Sequence, residues 1–152
     1  MTSELKRVLL AEDSARDVEL TLAALEQHHL ANEVVVVRDG AEAWDYLCRR
    51  GRYETRPNGN PAVVLLDLKM PKMDGLEVLK RMKGDPKLRS IPVVILTSSR
   101  EERDIVESYE RGVNAYVVKP VAFEEFMSAV KNLGLFWAVL NEPPPGSMRR
   151  AA

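Results

Sequence analysis

Five short runs of apolar residues recur along the chain, and each ends in polar or charged residues. The runs are 7-RVLLAE-12, 33-EVVVV-37, 62-AVVLLD-67, 91-IPVVILT-97 and 115-AYVVK-119. Runs of this length, rich in Val, Ile and Leu and bounded by turn residues, are typical of strands that are covered on both faces. We therefore predict five strands of a parallel sheet.

Helical spacing occupies the intervals between these runs. Ser14 is a residue type that caps helix N-termini, and it precedes an apolar i, i+4, i+7 spacing within residues 14–29. A second helix is predicted from Gly40 to about Arg50, with Cys48 on its apolar face.

Two capping-box pairs, Asp74 with Glu77 and Ser99 with Glu102, predict the starts of the third and fourth helices. A last helix is expected to begin near Val121. Right-handed crossovers between parallel strands place helices on both faces of the sheet. The alternation therefore predicts a three-layer, doubly wound α/β domain with a five-stranded parallel sheet.

Length, charge and cysteine content limit the number of domains, the partners and the location of the protein. The 152 residues suffice for one domain, and the net charge of -1 provides no general attraction to nucleic acid or to an anionic membrane. No apolar run reaches the length of a membrane span or of a signal sequence. The one cysteine, Cys48, cannot form an intramolecular disulfide and is expected to be a buried thiol. We expect a cytoplasmic protein that binds neither nucleic acid nor membrane.

Two segments interrupt the alternation of strands and helices. Residues 49–61 are rich in Arg, Pro and Gly, and residues 143–152 have no periodicity. Both are expected to be exposed and mobile. The arginines of the first segment suggest a solvated or partner-facing loop more than a nucleic-acid site, because the remaining length holds no DNA-reading motif.

Polar residues that end the predicted strands form the candidate chemistry. They are the pair Glu12 and Asp13 after the first strand, Asp67 after the third, Thr97 after the fourth and Lys119 after the fifth. The carboxyl ends of parallel strands lie along one edge, where open α/β sheets bind ligands. We therefore expect three carboxylates, one hydroxyl and one ammonium group to converge there.

Three adjacent carboxylates repel one another unless a cation lies among them, and oxygen ligands favour Mg²⁺. With the metal bound, Asp67 could attack a phosphoryl group while Mg²⁺ and Lys119 offset the charge on the transferred oxygens. Asp67 is the predicted nucleophile because it lies between the other groups.

These motifs resemble the receiver domain of bacterial two-component response regulators. The resemblance rests on the Glu12-Asp13 pair, LLDLKMPKMDG around Asp67, ILTSS around Thr97 and VVKP at Lys119. It covers roughly residues 5–135, and we assign residues 1–135 to a receiver domain and residues 136–152 to a C-terminal extension. We expect the flavodoxin-like strand order 2-1-3-4-5.

The resemblance implies roles for individual residues. Asp67 would accept the phosphoryl group, and Mg²⁺ would bind Asp13, Asp67 and the backbone carbonyl of Lys69, with Glu12 reaching the metal through water. Thr97 would bind a phosphoryl oxygen and Lys119 would pair with it.

Two further roles follow from the same resemblance, and a third follows from positions along the chain. Tyr116 would be the aromatic switch that rotates inward as Thr97 moves, and the bond before Pro120 would be cis. Lys69 and Ser99, two residues after Asp67 and Thr97, flank the route by which water would attack, so they are expected to tune the lifetime of the phosphorylated state.

Two segments, 51-GRYETRP-57 and Phe136-Trp137, narrow the resemblance to one group of this family. They are similar to stand-alone regulators that are paired with bacterial phytochromes. This implies a sensor histidine kinase as phosphoryl donor, with a bacterial phytochrome as the candidate. We also expect a homodimer, because a heptad-like apolar spacing continues past the expected core. Its residues are Phe126, Val130, Leu133, Trp137 and Leu140.

Two other functions are compatible with parts of this pattern. A phosphohydrolase of the haloacid dehalogenase type also uses a strand-end Asp and Mg²⁺, but it needs a second acid two residues later, where this chain has Lys69. A receiver fold that only serves as a scaffold is disfavoured because no site residue is missing. The expected function is a non-enzymatic, single-domain response regulator that signals by contact.

Overall fold

The computed structural model describes residues 7–26, 33–57, 59–98, 115–119, 121, 122, 124, 125 and 128. Within these residues the elements are β1 (Arg7–Ala11), α1 (Ala15–Glu26), β2 (Glu33–Val37), α2 (Gly40–Cys48), a 3₁₀ turn (Gly51–Tyr53), β3 (Val63–Asp67), α3 (Gly75–Lys83), β4 (Val93–Thr97) and β5 (Ala115–Val118). The predicted fourth helix lies outside the described residues. Of the predicted last helix, residues 124, 125 and 128 are described and are helical.

The five strands form one parallel sheet in the order β2-β1-β3-β4-β5. This confirms the predicted flavodoxin-like order. Because β1 and β3 are central, residues that follow them lie in the middle of the carboxyl edge of the sheet.

Alternate residues of the strands pack into two separate hydrophobic clusters, one on each face. Leu9 and Ala11 of β1 pack with α2 and α3 on one face, whereas Val8 and Leu10 pack with α1 on the other. β3 and β4 are buried along their whole length. The run of apolar residues without polar alternation is therefore explained by burial on both faces, as the three-layer prediction requires.

Polar caps begin the helices where the sequence predicts them. The Ser14 hydroxyl accepts a hydrogen bond from the backbone N–H of Asp17 at 3.2 Å, and the Asp74 carboxylate accepts one from that of Glu77 at 2.8 Å. None of the helices within the described ranges is long and apolar enough to cross a lipid bilayer.

The second helix ends earlier than predicted, at Cys48 rather than near Arg50. Arg49 adopts a left-handed conformation with φ of 56°, which turns the chain out of the helix. Tyr46 is buried on this helix, while Cys48 is only half-buried, contrary to the prediction of a buried thiol. Burial still raises the pKa of the Cys48 thiol, which makes it a poor nucleophile.

The sequence predicts that the loop at residues 49–61 is exposed. The structure differs, because part of this loop is buried. Arg56 is buried, and its guanidinium donates hydrogen bonds to the carbonyls of Tyr46 at 2.7 Å, Pro57 at 2.9 Å and Gly59 at 3.0 Å. The Cζ atom of this guanidinium also lies 4.3 Å from the centre of the Tyr46 ring, which is a cation–π contact. This side chain therefore fastens the loop to α2.

Candidate functional site

The candidate site is assembled from four strand ends at the carboxyl edge of the sheet. Glu12 follows β1, Asp67 ends β3, Thr97 ends β4 and Lys119 follows β5. Backbone hydrogen bonds set the strand ends against one another: the N–H of Lys119 donates to the carbonyl of Thr97 at 2.7 Å, and that of Leu68 donates to Leu96 at 3.0 Å. The structure therefore brings together the residues that were expected to converge.

Three carboxylates form the acidic part of the site. One oxygen of each of Glu12, Asp13 and Asp67 lies within 4.8 Å of the others. Glu12 and Asp67 are buried, whereas Asp13 is exposed. This mixture of two buried carboxylates and one exposed carboxylate suits a hard divalent cation that retains some of its water.

The ionisation of Asp67 reflects this crowding. Burial, a hydrogen bond with Glu12 and the negative charge of Glu12 together raise the pKa of Asp67 to about 7, although the nearby Lys119 acts in the opposite direction. An added positive charge would restore the ionised form that a nucleophile requires.

Lys119 is the cation of the site. Its Nζ lies 3.1 Å from Glu12 Oε1, 3.0 Å from Asp17 Oδ2 and 3.3 Å from Asp67 Oδ2. Burial alone would lower the pKa of Lys119, but the hydrogen bond to Asp17 and the charges of Asp67 and Glu12 outweigh it and raise the pKa above its ordinary value. The ammonium group is therefore charged at neutral pH.

Thr97 supplies a buried hydroxyl to the site. Its Oγ1 is buried and has no hydrogen-bond partner within the described part of the chain. A buried hydroxyl without a partner is costly, so one is expected to serve an incoming polar group. An acceptor oxygen of a group attached to Asp67 would provide this partner.

The loop after β3 is shaped by a close backbone contact. A Cβ atom at Gly75 would lie 2.2 Å from the carbonyl oxygen of Asp67, so a larger residue cannot occupy this position without moving the strand end. Lys69 lies in this loop with an exposed side chain, and Lys72 has a left-handed backbone with φ of 68°.

Some predicted residues lie outside the described part of the chain. These are Ser99, Pro120 and the side chain of Tyr116. One residue of the site is not predicted from the sequence: Asp17, in the first turn of α1, contacts Lys119 directly. An acidic residue is common in a first helical turn because it interacts favourably with the helix dipole, so Asp17 carries no separate signal in the sequence.

Comparison with known proteins identifies the family of this site. The sequence model of one protein family, the response regulator receiver domain, matches residues 8–131 of this chain. The chain is 40% identical to "Response regulator Rcp1" of Synechocystis sp. over 87% of this chain and 88% of that protein.

Two solved structures agree with this assignment. "Bacteriophytochrome response regulator RtBRR" is 65% identical, covers 95% of this chain and 87% of its own, and superposes with a TM-score of 0.85. The Mn²⁺-bound form of Rcp1 is 37% identical, covers 96% of this chain and 99% of its own, and gives a TM-score of 0.70. With its strand order and its acidic cluster, the chain belongs to the response regulator receiver domain family.

Proposed function

We propose that Asp67 is the residue that accepts the phosphoryl group in this response regulator. The observation that carries the proposal is the position of its carboxylate, which lies 3.3 Å from Lys119 Nζ and within the acidic cluster. An Asp67 oxygen attacks the phosphorus atom of a phosphohistidine. The P–N bond breaks, its electron pair returns to the imidazole, and an acyl phosphate remains on Asp67. Water later attacks the phosphorus atom and releases inorganic phosphate.

We propose Mg²⁺ as the cofactor, held by Asp13, Asp67 and the backbone carbonyl of Lys69, with Glu12 bound through water. The three carboxylates and the raised pKa of Asp67 support a cation at this position. When bound, the metal neutralises charge on the transferred phosphoryl oxygens. The Mn²⁺-bound structure of Rcp1 supports the same conclusion for a relative.

The remaining residues have proposed roles in reading the phosphoryl group. Thr97 donates its hydroxyl, which has no hydrogen-bond partner among the described residues, to a phosphoryl oxygen, and Lys119 pairs with another. Tyr116 is the switch residue, a cis bond precedes Pro120, and Ser99 acts with Lys69 on the lifetime of the acyl phosphate; of these, only Lys69 has a described side chain.

The proposed donor is a sensor histidine kinase of the bacterial phytochrome type. Receiver domains interact with histidine kinases, and the name of the relative RtBRR associates that protein with a bacteriophytochrome. Transfer of ³²P from a purified, phosphorylated bacteriophytochrome kinase would support this donor. Transfer that is equally fast from an unrelated histidine kinase would contradict the specificity.

We propose a homodimer formed through the last helix and the extension, residues 136–152. The heptad-like residues between Phe126 and Leu140 lie outside the described residues, so the proposal rests on their spacing and on the apolar area of Trp137 and Leu140. Light scattering provides the test. A monomeric mass with and without phosphorylation contradicts the dimer, and a dimer that survives Trp137→Ala with Leu140→Ala contradicts the segment.

We infer a signalling protein that does not turn over small phosphate esters. Lys69 occupies the position at which a haloacid dehalogenase requires its second acid. The complete set of site residues also argues against an unphosphorylated scaffold.

Nucleic acid is not a proposed partner. Arg50 pairs with Asp45 at 3.0 Å, and Arg56 is buried by its own loop. These arginines are thereby engaged within the molecule. A cytoplasmic location is proposed from the free thiol of Cys48.

Labelling with acetyl phosphate tests the central proposal. With Mg²⁺ present, we expect one labelled residue, Asp67, and no label in Asp67→Asn. Asp85→Asn, in the loop after α3, is a matched control that should label normally. Label that persists in excess chelator, or that appears at another residue of Asp67→Asn, would refute the assignment.

A further inference from the structure

Asp17 connects the first helix to the lysine of the site. Its Oδ2 lies 3.0 Å from Lys119 Nζ, which is as short as any carboxylate contact that this ammonium group makes in the described residues. The Asp17 side chain is 28% exposed and that of Lys119 is 12% exposed, so the pair is screened less than a surface ion pair.

The backbone of Asp17 is itself held in position. Its N–H donates to the Ser14 hydroxyl at 3.2 Å, and the N–H of Ser14 donates to Glu12 Oε2 at 3.2 Å. A continuous set of hydrogen bonds therefore links the end of β1, the first turn of α1 and the end of β5. The backbone of Asp17 cannot move away from the end of β5 without breaking the cap of its own helix.

The donors of Lys119 match these acceptors in number. An ammonium group has three N–H donors, and three carboxylates surround it at 3.0–3.3 Å. Asp17 and Glu12 make the two shorter contacts, and Asp67 makes the longest. When Asp67 becomes an acyl phosphate, the donor that faces Asp67 can turn to a phosphoryl oxygen while the other two contacts remain.

We propose that Asp17 is a positioning residue, which holds Lys119 Nζ over Asp67 so that one N–H remains directed at the transferred phosphoryl group. Asp17 is not a member of the metal-binding cluster, which comprises Glu12, Asp13 and Asp67. Its contribution is to the orientation of the ammonium group, and orientation of a charged group is a large part of phosphoryl-transfer catalysis. The inference rests on the proposed function of Asp67.

Two substitutions separate the hydrogen bond of Asp17 from its charge. Asp17→Ala removes the acceptor, whereas Asp17→Asn keeps an oxygen at the same position. We expect Asp17→Ala to lower the rate of Mg²⁺-dependent labelling by acetyl phosphate about three- to tenfold, and Asp17→Asn to recover at least about half of that loss on a logarithmic scale. Glu19→Ala, an exposed carboxylate two residues along the same helix, should have the wild-type rate.

A second measurement needs no phosphoryl donor. In ¹⁵N-labelled protein, the Lys119 ammonium group held by three carboxylates should give a signal whose protons exchange slowly with water. Asp17→Ala should increase this exchange at least about threefold, because one of three acceptors is lost. Glu19→Ala should leave it unchanged.

Each outcome decides for or against the inference. Slower labelling and faster ammonium exchange in Asp17→Ala, with recovery in Asp17→Asn, support it. Labelling of Asp17→Ala at or above the wild-type rate would show that the negative charge of Asp17 merely repels the donor, and an unchanged Lys119 signal would show that Asp17 does not hold it. Asp17→Asn as slow as Asp17→Ala would overturn the hydrogen-bond assignment. If wild-type protein is not labelled, the proposed function fails, and the Lys119 signal alone decides the role of Asp17.

Discussion

Removal of the Asp67 charge should stabilise the metal-free protein even though it abolishes phosphorylation. Asp67 is 3% exposed and lies beside Glu12, and Lys119 offsets part of the two negative charges in this buried part of the site. Asp67→Asn retains the shape of the side chain and removes its charge. Sites arranged for chemistry are often unfavourable for folding in this manner.

The pKa of Asp67 gives the size and the sign of the effect. Its rise from 3.8 to about 7 corresponds to a destabilisation of the ionised form on the order of 4 kcal/mol. A folded-state pKa above the unfolded value means that folding takes up a proton between these two pH values. Stability associated with Asp67 is therefore fully present below about pH 4 and is lost as the pH rises to about 7.

Urea unfolding in a chelating buffer measures this difference. We expect Asp67→Asn to exceed wild type in free energy of unfolding by up to about 4 kcal/mol at about pH 8, and by about 2 kcal/mol at about pH 5. The upper value is a limit because the amide also loses its ionic contact with Lys119. Glu19→Gln, an exposed carboxylate on α1, is the control and should show no such dependence on pH.

Addition of Mg²⁺ completes the test. The metal should raise the stability of wild type and narrow its difference from Asp67→Asn, because it supplies the missing positive charge. A destabilising charge on Asp67 is refuted if Asp67→Asn is the less stable protein at about pH 8 in chelator, or if its stability advantage over wild type is the same at both pH values.

Three further substitutions test other parts of the structure. Thr97→Ala should be labelled at a rate within about threefold of wild type but should lose the phosphorylation-dependent change in backbone amide chemical shifts, whereas Thr97→Ser should keep this change. Complete loss of label in Thr97→Ala would contradict a hydroxyl that binds the phosphoryl group only after transfer. Arg56→Ala should lower the free energy of unfolding by about 2–3 kcal/mol. The side chain of Arg52 is 74% exposed, so Arg52→Ala should change this free energy by less than about 0.5 kcal/mol, and equal effects of the two substitutions would refute the anchoring role of Arg56. Gly75→Ala should destabilise by about 1–3 kcal/mol and slow labelling, while Gly84→Ala, whose nearest atoms would lie 3.6 Å away, should do neither.

The strands and most of the site could be predicted from the sequence for a common reason. A strand that is buried on both faces has an uninterrupted apolar run, and the first polar residue after it must lie at the edge of the sheet. Asp67 and Thr97 are the last residues of β3 and β4, and Lys119 directly follows β5. Parallel topology then brings residues together that are far apart in sequence.

Asp17 and Arg56 could not be found in the same way. The sequence around Asp17 is that of any capped helix, and its contact with Lys119 depends on how α1 packs beside β5. Arg56 lies in a segment rich in Arg, Pro and Gly, a composition typical of exposed loops. Its burial depends on carbonyl groups of its own loop and on the ring of Tyr46, and these are specified by backbone geometry that composition does not encode.

The anchoring of the loop by one side chain has a consequence for protein engineering. Arg56 binds two carbonyl groups of its own segment and one of α2, so the segment carries most of its fastening with it. A graft of residues 49–61 onto another receiver scaffold would need a tyrosine at the place of Tyr46 on the host helix. Conversely, a shortened loop should be made together with replacement of Arg56 by a smaller neutral residue, since a truncated segment would leave the guanidinium buried without the two acceptors of its own loop.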